Sequence, residues 1–220
     1  MKQKLSLFIA ALALAALACN SLINLPVSSV KTIPTETLSI DEPVPAGATV
    51  TDATLVMAAS NATLALAGGS SGLVEGEIIY NVAEWKPILT ANDGILRIIQ
   101  QPQGDEIHTI TGEAANEWNL KLGNGIVNVR VECPAGDFTL DFADTLPDGV
   151  TITVVMGAGN LRLVVPDGIA AAIKVTRGPS NITTEGEWTK NGSSYTNDGS
   201  GSAWAINVDM GVGNLTLASQ

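Results

Sequence analysis

The chain has one histidine, His108, and two cysteines, Cys19 and Cys133, so acid–base and metal chemistry have few side chains to draw on. A histidine-based metal site needs several further ligands, and none cluster around His108 in "GDEIHTITG". A Ser-His-Asp arrangement would have only that histidine to use. "GAGNLRL" at 157–163 has the first two glycines of a phosphate-binding G-x-G-x-x-G turn, but the third is missing and a strand pattern follows. The carboxylate pairs Asp137/Asp141 and Glu185/Glu187 are the residues a polysaccharide-acting enzyme would need, provided they face one another about 5–9 Å apart. "TNDGSGSA" at 196–203 offers Asp198 to calcium but lacks the alternating acidic ligands and closing Glu of a calcium loop. Cys133 lies in "VRVECPAGDFTLDF", where alternation turns it inward as a small hydrophobe. The reading is non-enzymatic, with no catalytic residue, metal or cofactor expected. The aromatics offer more. Trp188 and Tyr195 flank an Asn191-Gly192 turn, and Trp204 follows shortly after. Exposed, the three would form a surface for sugar rings or a protein partner; buried, they would seal the end of the fold.

Positioning those residues falls to a repeat. "VVMGAGNLRL" at 154 returns as "VDMGVGNLTL" at 208, with weaker copies at 55–66, 129–142 and 173–183. In register, Met57, Cys133, Met156, Arg177 and Met210 share a column. A second column holds Asn61, Asp137, Asn160, Asn181 and Asn214. Within a copy, Ile152, Val154 and Met156 alternate with polar or smaller residues, and so do Leu161, Leu163 and Val165. The five-residue step from Met156 to Leu161 is odd, so the two runs cannot share one face of a straight strand. A corner at Gly157-Ala158-Gly159-Asn160 must intervene, with Gly157 expected to supply positive φ. Copies of about 22 residues that cannot bury their apolar faces alone imply stacked coils. The expected fold is all-β: a single-stranded parallel β-solenoid with the Asn/Asp column as a corner ladder, adjacent in chain order. The alternative is an antiparallel β-sandwich. "LTANDGILRI" at 89–98 and "EWTKNGSSYT" at 187–196 read as protruding hairpins, the second placing Trp188 opposite Tyr195.

The beginning of the chain provides an address. Met1-Lys2-Gln3-Lys4 precedes thirteen residues, Leu5–Leu17, with only Ser6 polar, too short to span a bilayer. "LALAALACN" at 12–20 resembles a bacterial lipobox, which implies lipidation at Cys19 and a membrane anchor. Residues 1–19 are read as a lipoprotein signal peptide, 20–48 as a flexible Pro/Ser/Thr-rich spacer, and 49–220 as the all-β domain. A formal charge of -11 argues against nucleic acid as a partner, and against a polybasic attachment to lipid.

The runs "LVEGEIIYN", "NEWNLKLGNG", "MGAGNLRLVVPDG", "GPSNI" and "INVDMGVGNLTL" resemble the toast-rack family. The C-terminal half is similar to the cell-wall-active antibiotic response proteins. The resemblance spans about residues 49–220 and implies an extracytoplasmic, solenoid-like β domain, with no catalytic residues to carry over. The combined expectation is an extracytoplasmic lipoprotein of the cell envelope that presents an adhesin-like surface to envelope proteins or polysaccharide, with a link to envelope stress. A cell-wall or exopolysaccharide-binding module is the alternative.

Overall fold

Alternating apolar residues punctuated by glycine turns produce strands through most of the described residues, 27–100, 107–201 and 203–220 of the computed structural model. In chain order they are β1 (Val27–Lys31), β2 (Glu36–Glu42), β3 (Asp52–Val56), β4 (Ala62–Ser70) and β5 (Val74–Tyr80). A 3-10 turn at Ala83–Trp85 leads to β6 (Ile88–Asn92), β7 (Ile95–Ile99), β8 (Ile107–Thr111) and β9 (Asn116–Gly123). The long strands β10 (Asn128–Phe142) and β11 (Thr151–Val165) follow, then β12 (Ala170–Arg177) and β13 (Asn181–Glu185). The short pair β14 (Thr189–Asn191) and β15 (Ser194–Thr196) precedes β16 (Ala203–Ser219).

The odd step in the repeat is realised as a bend inside one continuous strand. Met156 and Leu161 of β11 are both buried, as are Met210 and Leu215 of β16. The phase changes at the glycine just before the Asn/Asp position, not at the first residue of the corner. Gly136, Gly159 and Gly213 have φ of 139°, 119° and 134°, whereas Gly157 is not in that region. A side chain would be strained at these angles. It would also have no room: a Cβ on Gly159 would collide with the carbonyl of Gly136, and one on Gly213 with that of Gly159. Gly157 is glycine for the steric reason alone, since its Cβ would meet the carbonyl of Pro134.

The bends fold one sheet into two walls. The first wall runs β6-β7-β3-β10-β11-β16-β12-β15-β14, using the N-terminal halves of the long strands. The second runs β2-β5-β9-β4-β10-β11-β16-β13 through their C-terminal halves. Their inward faces close on a core that includes Leu55, Val131, Trp118, Phe138 and Phe142. Neighbouring coils pair in parallel, as a solenoid requires, and antiparallel pairing is confined to the ends of the walls.

Coil order departs from chain order. The last coil, β16, lies between β11 and β12/β13. At the other end β3/β4 lies between β10 and a sixth coil, β7/β9, whose corner is interrupted by an insertion carrying β8. Two further expectations are corrected. The spacer expected over 20–48 contains β1, paired in parallel with β8, and β2, paired antiparallel with β5. Prolines at 26, 34, 43 and 45 had obscured these short strands. The two hairpins also do not protrude: β6–β7 and β14–β15 continue the first wall at its opposite ends.

Candidate functional site

The corner column assembles in the order Asn61, Asp137, Asn160, Asn214, Asn181. The Asn214 amide donates to Asn160 Oδ1 at 2.7 Å, and that of Asn160 donates to Asp137 Oδ1 at 2.6 Å. The backbone N–H of Asp137 donates to Asn61 Oδ1 at 3.2 Å. Asn181 lies in register beside Asn214, not beside Asn160. The amides of Asn214 and Asn160 thus each pass a donor one coil along, and the Asp137 carboxylate, which only accepts, ends the side-chain run. The five side chains are exposed, and four of them are linked from coil to coil at the bend. Arg177 leaves the neighbouring column at a bulge after Val175 and forms a two-pronged ion pair with Asp209 at 2.7 and 2.8 Å.

The aromatics are not a surface. Tyr195 is 3% exposed and Trp204 2%, and half-buried Trp188 packs against the core with its Nε1 donating to the Glu185 carbonyl at 3.1 Å. The turn falls at Gly192-Ser193, one residue later than expected, so Lys190 opposes Tyr195 and sits 5.5 Å from its ring centroid. Gly192 alone takes positive φ there, the pattern of a turn with glycine in first place. The hairpin seals the end of the stack.

Cys133 is buried, and burial pushes its thiol up to about 12. His108 lies in β8, paired with Ser28. Asp137 belongs to the ladder, and Glu185 pairs with Arg162 at 2.7 Å, which holds its carboxyl below the usual range. Gly68-Gly69-Ser70-Ser71-Gly72 spells G-x-S-x-G. The nucleophile elbow of that motif needs a strand-to-helix turn, but Ser70 ends β4, is buried, and accepts a bond from the Gly72 N–H at 3.1 Å. Also unforeseen is a buried amide cluster at the corner of the sixth coil. Gln100 exchanges bonds with Asn116, which also binds Ser60 and receives Trp118 Nε1, all between 2.9 and 3.1 Å.

What the walls leave open is a groove of about 590 Å³ on the outer face of the second wall. Pairing places Ser39, Glu77, Asn119, Ala65 and Asp141 in one row across five strands. Asp41, Glu75, Lys121 and Ala67 form the next row. The alanines hollow the floor, and longer polar side chains rise around it. Three carboxylates, Glu75, Glu77 and Asp141, line it against one cation, Lys121, which leans 3.6 Å from Glu75. The basic residues Arg97, Arg130 and Lys174 share an outward row of the first wall instead. Alternation in "VEGEIIY" and "NEWNLKLG" marks these side chains as outward, but only the pairing of distant strands aligns them.

The sequence profile of the N-terminal domain of toast-rack (DUF2154) matches residues 28–183. No curated protein sequence matches the chain. Among solved structures, a candidate cell adhesion protein from Clostridium sporogenes superposes with a TM-score of 0.57 at 21% identity, covering 84% of this chain and 99% of that one. A candidate adhesin from Parabacteroides merdae gives a TM-score of 0.27 at 10% identity, over 87% and 99% of the two chains.

Proposed function

The chain belongs to the toast-rack family, and we propose that it is a non-enzymatic, lipid-anchored module of the cell envelope whose second wall holds a partner protein. The observation that carries this reading is the groove, open to solvent and lined by Glu75, Glu77 and Asp141 with Lys121 as the single cation. Its sign and its length across five strands fit an extended basic segment, since opposite charges steer and orient such contacts. The cell-adhesion name of the Clostridium protein points toward surface contact as well. The burial of Tyr195 and Trp204 weighs against sugar stacking on the hairpin.

The test compares binding of the wild type and the Glu77→Lys/Asp141→Lys double variant to isolated envelopes and to envelope polysaccharide. Loss of most protein-dependent, salt-sensitive binding supports the reading. Unchanged binding, or binding that survives protease treatment of the envelopes, overturns it in favour of the polysaccharide alternative. The anchor is tested separately, because Cys19 lies outside the described residues. A clickable palmitate analogue should label the wild type and not Cys19→Ala, and equal labelling would make the protein a secreted one. A tie to envelope stress requires expression to rise under cell-wall antibiotics.

A further inference from the structure

Within the large sheet four strands, β2, β6, β13 and β14, pair on one side only among the described residues. Proteins guard such edges with charge, because an unpaired ladder is a template for another strand. Three of the four are guarded. β2 carries Glu36, Asp41 and Glu42, β13 carries Glu185, and β14 carries Lys190. The sequence of β6, "ILTAN", has no charge, proline or bulge. Its outward face exposes Ile88, 48% open, beside the uncharged Thr90 and Asn92, while half-buried Leu89 and Ala91 face the core at the rim of the wall.

We propose that β6 is a self-association edge, pairing antiparallel with β6 of a second copy about a two-fold axis at Thr90. A two-fold contact requires each residue to meet its complement in the partner, and this strand satisfies it. With Thr90 facing Thr90 of the second copy, Ile88 faces Asn92 and Leu89 faces Ala91. The flanks complement as well: Lys86 comes level with Gly94 of the other copy and so beside its Asp93, giving two symmetric opposite-charge contacts. The β2 edge disfavours the same arrangement, because β2 against β2 would gather three carboxylates from each copy at one seam. The pairing joins the first walls of two copies into one sheet and leaves both grooves free, so it stands independently of the proposed partner. Five paired residues bury far less than the roughly 800 Å² per partner of a stable complex. The association is therefore weak in dilute solution and grows where copies are crowded.

The experiment uses the full chain with Thr90→Cys, oxidised at high protein concentration. Facing residues in an antiparallel pair have Cα atoms about 4.5–5.5 Å apart, within disulfide range. We expect a covalent dimer at least fivefold more abundant than in the wild type, which controls for Cys19, or in Thr189→Cys on the guarded β14 edge. Adding Ile88→Lys to Thr90→Cys should return it to that background. Sedimentation of the wild type should show a concentration-dependent dimer that Ile88→Lys alone abolishes, with circular dichroism confirming that the variant is folded. Dimer at background level with no sedimentation shift, dimer indifferent to Ile88→Lys, or cross-linking only to other proteins would each overturn the proposal.

Discussion

Three glycines separate the two reasons a corner excludes a side chain. Gly149 has φ of 73° and open space around its missing Cβ. Gly157 has no positive φ, but its Cβ would strike the Pro134 carbonyl. Gly159 combines φ of 119° with a Cβ driven into the Gly136 carbonyl, and Gly213 is stacked in turn against the carbonyl of Gly159. For Gly149→Ala we expect a loss of about 1–2 kcal/mol, the cost of a left-handed L-residue. For Gly157→Ala, overpacking against a backbone that cannot rotate away costs about 1–3 kcal/mol. At Gly159 the strain of about 1–3 kcal/mol adds to that overpacking, because relieving one does not relieve the other. The sum, about 2–6 kcal/mol, is a large share of the roughly 5–15 kcal/mol that holds a domain folded. Urea unfolding of the three alanine variants, with m-values checked against the wild type, measures the differences directly. A Gly159→Ala loss no larger than that of Gly149→Ala would mean that the coils do not press on each other through these glycines, and the stacked corner would be wrong.

Trp204→Ala should cost about 3–5 kcal/mol, as for a large side chain removed from a core, and half-buried Trp188→Ala about half as much or less; equal, negligible losses in thermal unfolding would return the hairpin to the surface. Asn116→Leu strips partners from Gln100, Ser60 and Trp118 Nε1 and should cost at least about 2 kcal/mol at 1–3 kcal/mol per orphaned group; a neutral result by urea unfolding would show the cluster satisfied another way. Burial raises the Cys133 thiol from its ordinary 9.0 to about 12. The unfolded chain therefore loses that proton first: the stabilisation is complete below pH 9 and is lost as pH rises through about 12, at up to about 1.4 kcal/mol per pH unit. Tyr80, raised from 10.0 to about 12 by burial and then by its bond to Glu36, acts in the same direction from pH 10. Cys133→Ala should flatten the stability profile between pH 9 and 10, and an unchanged slope would place the thiol in water.

The repeat, its bend and its inward residues could all be read from the chain, because each depends on a local rule. Alternation assigns Met156 inward, an odd step to Leu161 demands a corner, and paired glycines supply it. The Asp93-Gly94 turn was equally local: both residues take positive φ and close β6 onto β7 as the dipeptide requires. Which glycine carries the positive φ was not legible, since Gly157 and Gly159 are chemically identical and differ only in what the next coil places against them. Coil order was beyond the sequence for a related reason. Every coil presents the same backbone donors and acceptors to its neighbours, so β16 can pair as well with β11 as β12 can, and alternation says which way a side chain faces but not which strand lies beside it. That choice is made by long-range packing, and it places Asn214 between Asn160 and Asn181. The same pairing gathers Ser39, Glu77, Asn119, Ala65 and Asp141 from five distant segments into one row of a groove. The aromatics were misplaced because the length of a hairpin does not say whether it leaves the sheet or extends it. Pairing with β12 turned Tyr195 inward, and the core at that end of the wall covered it.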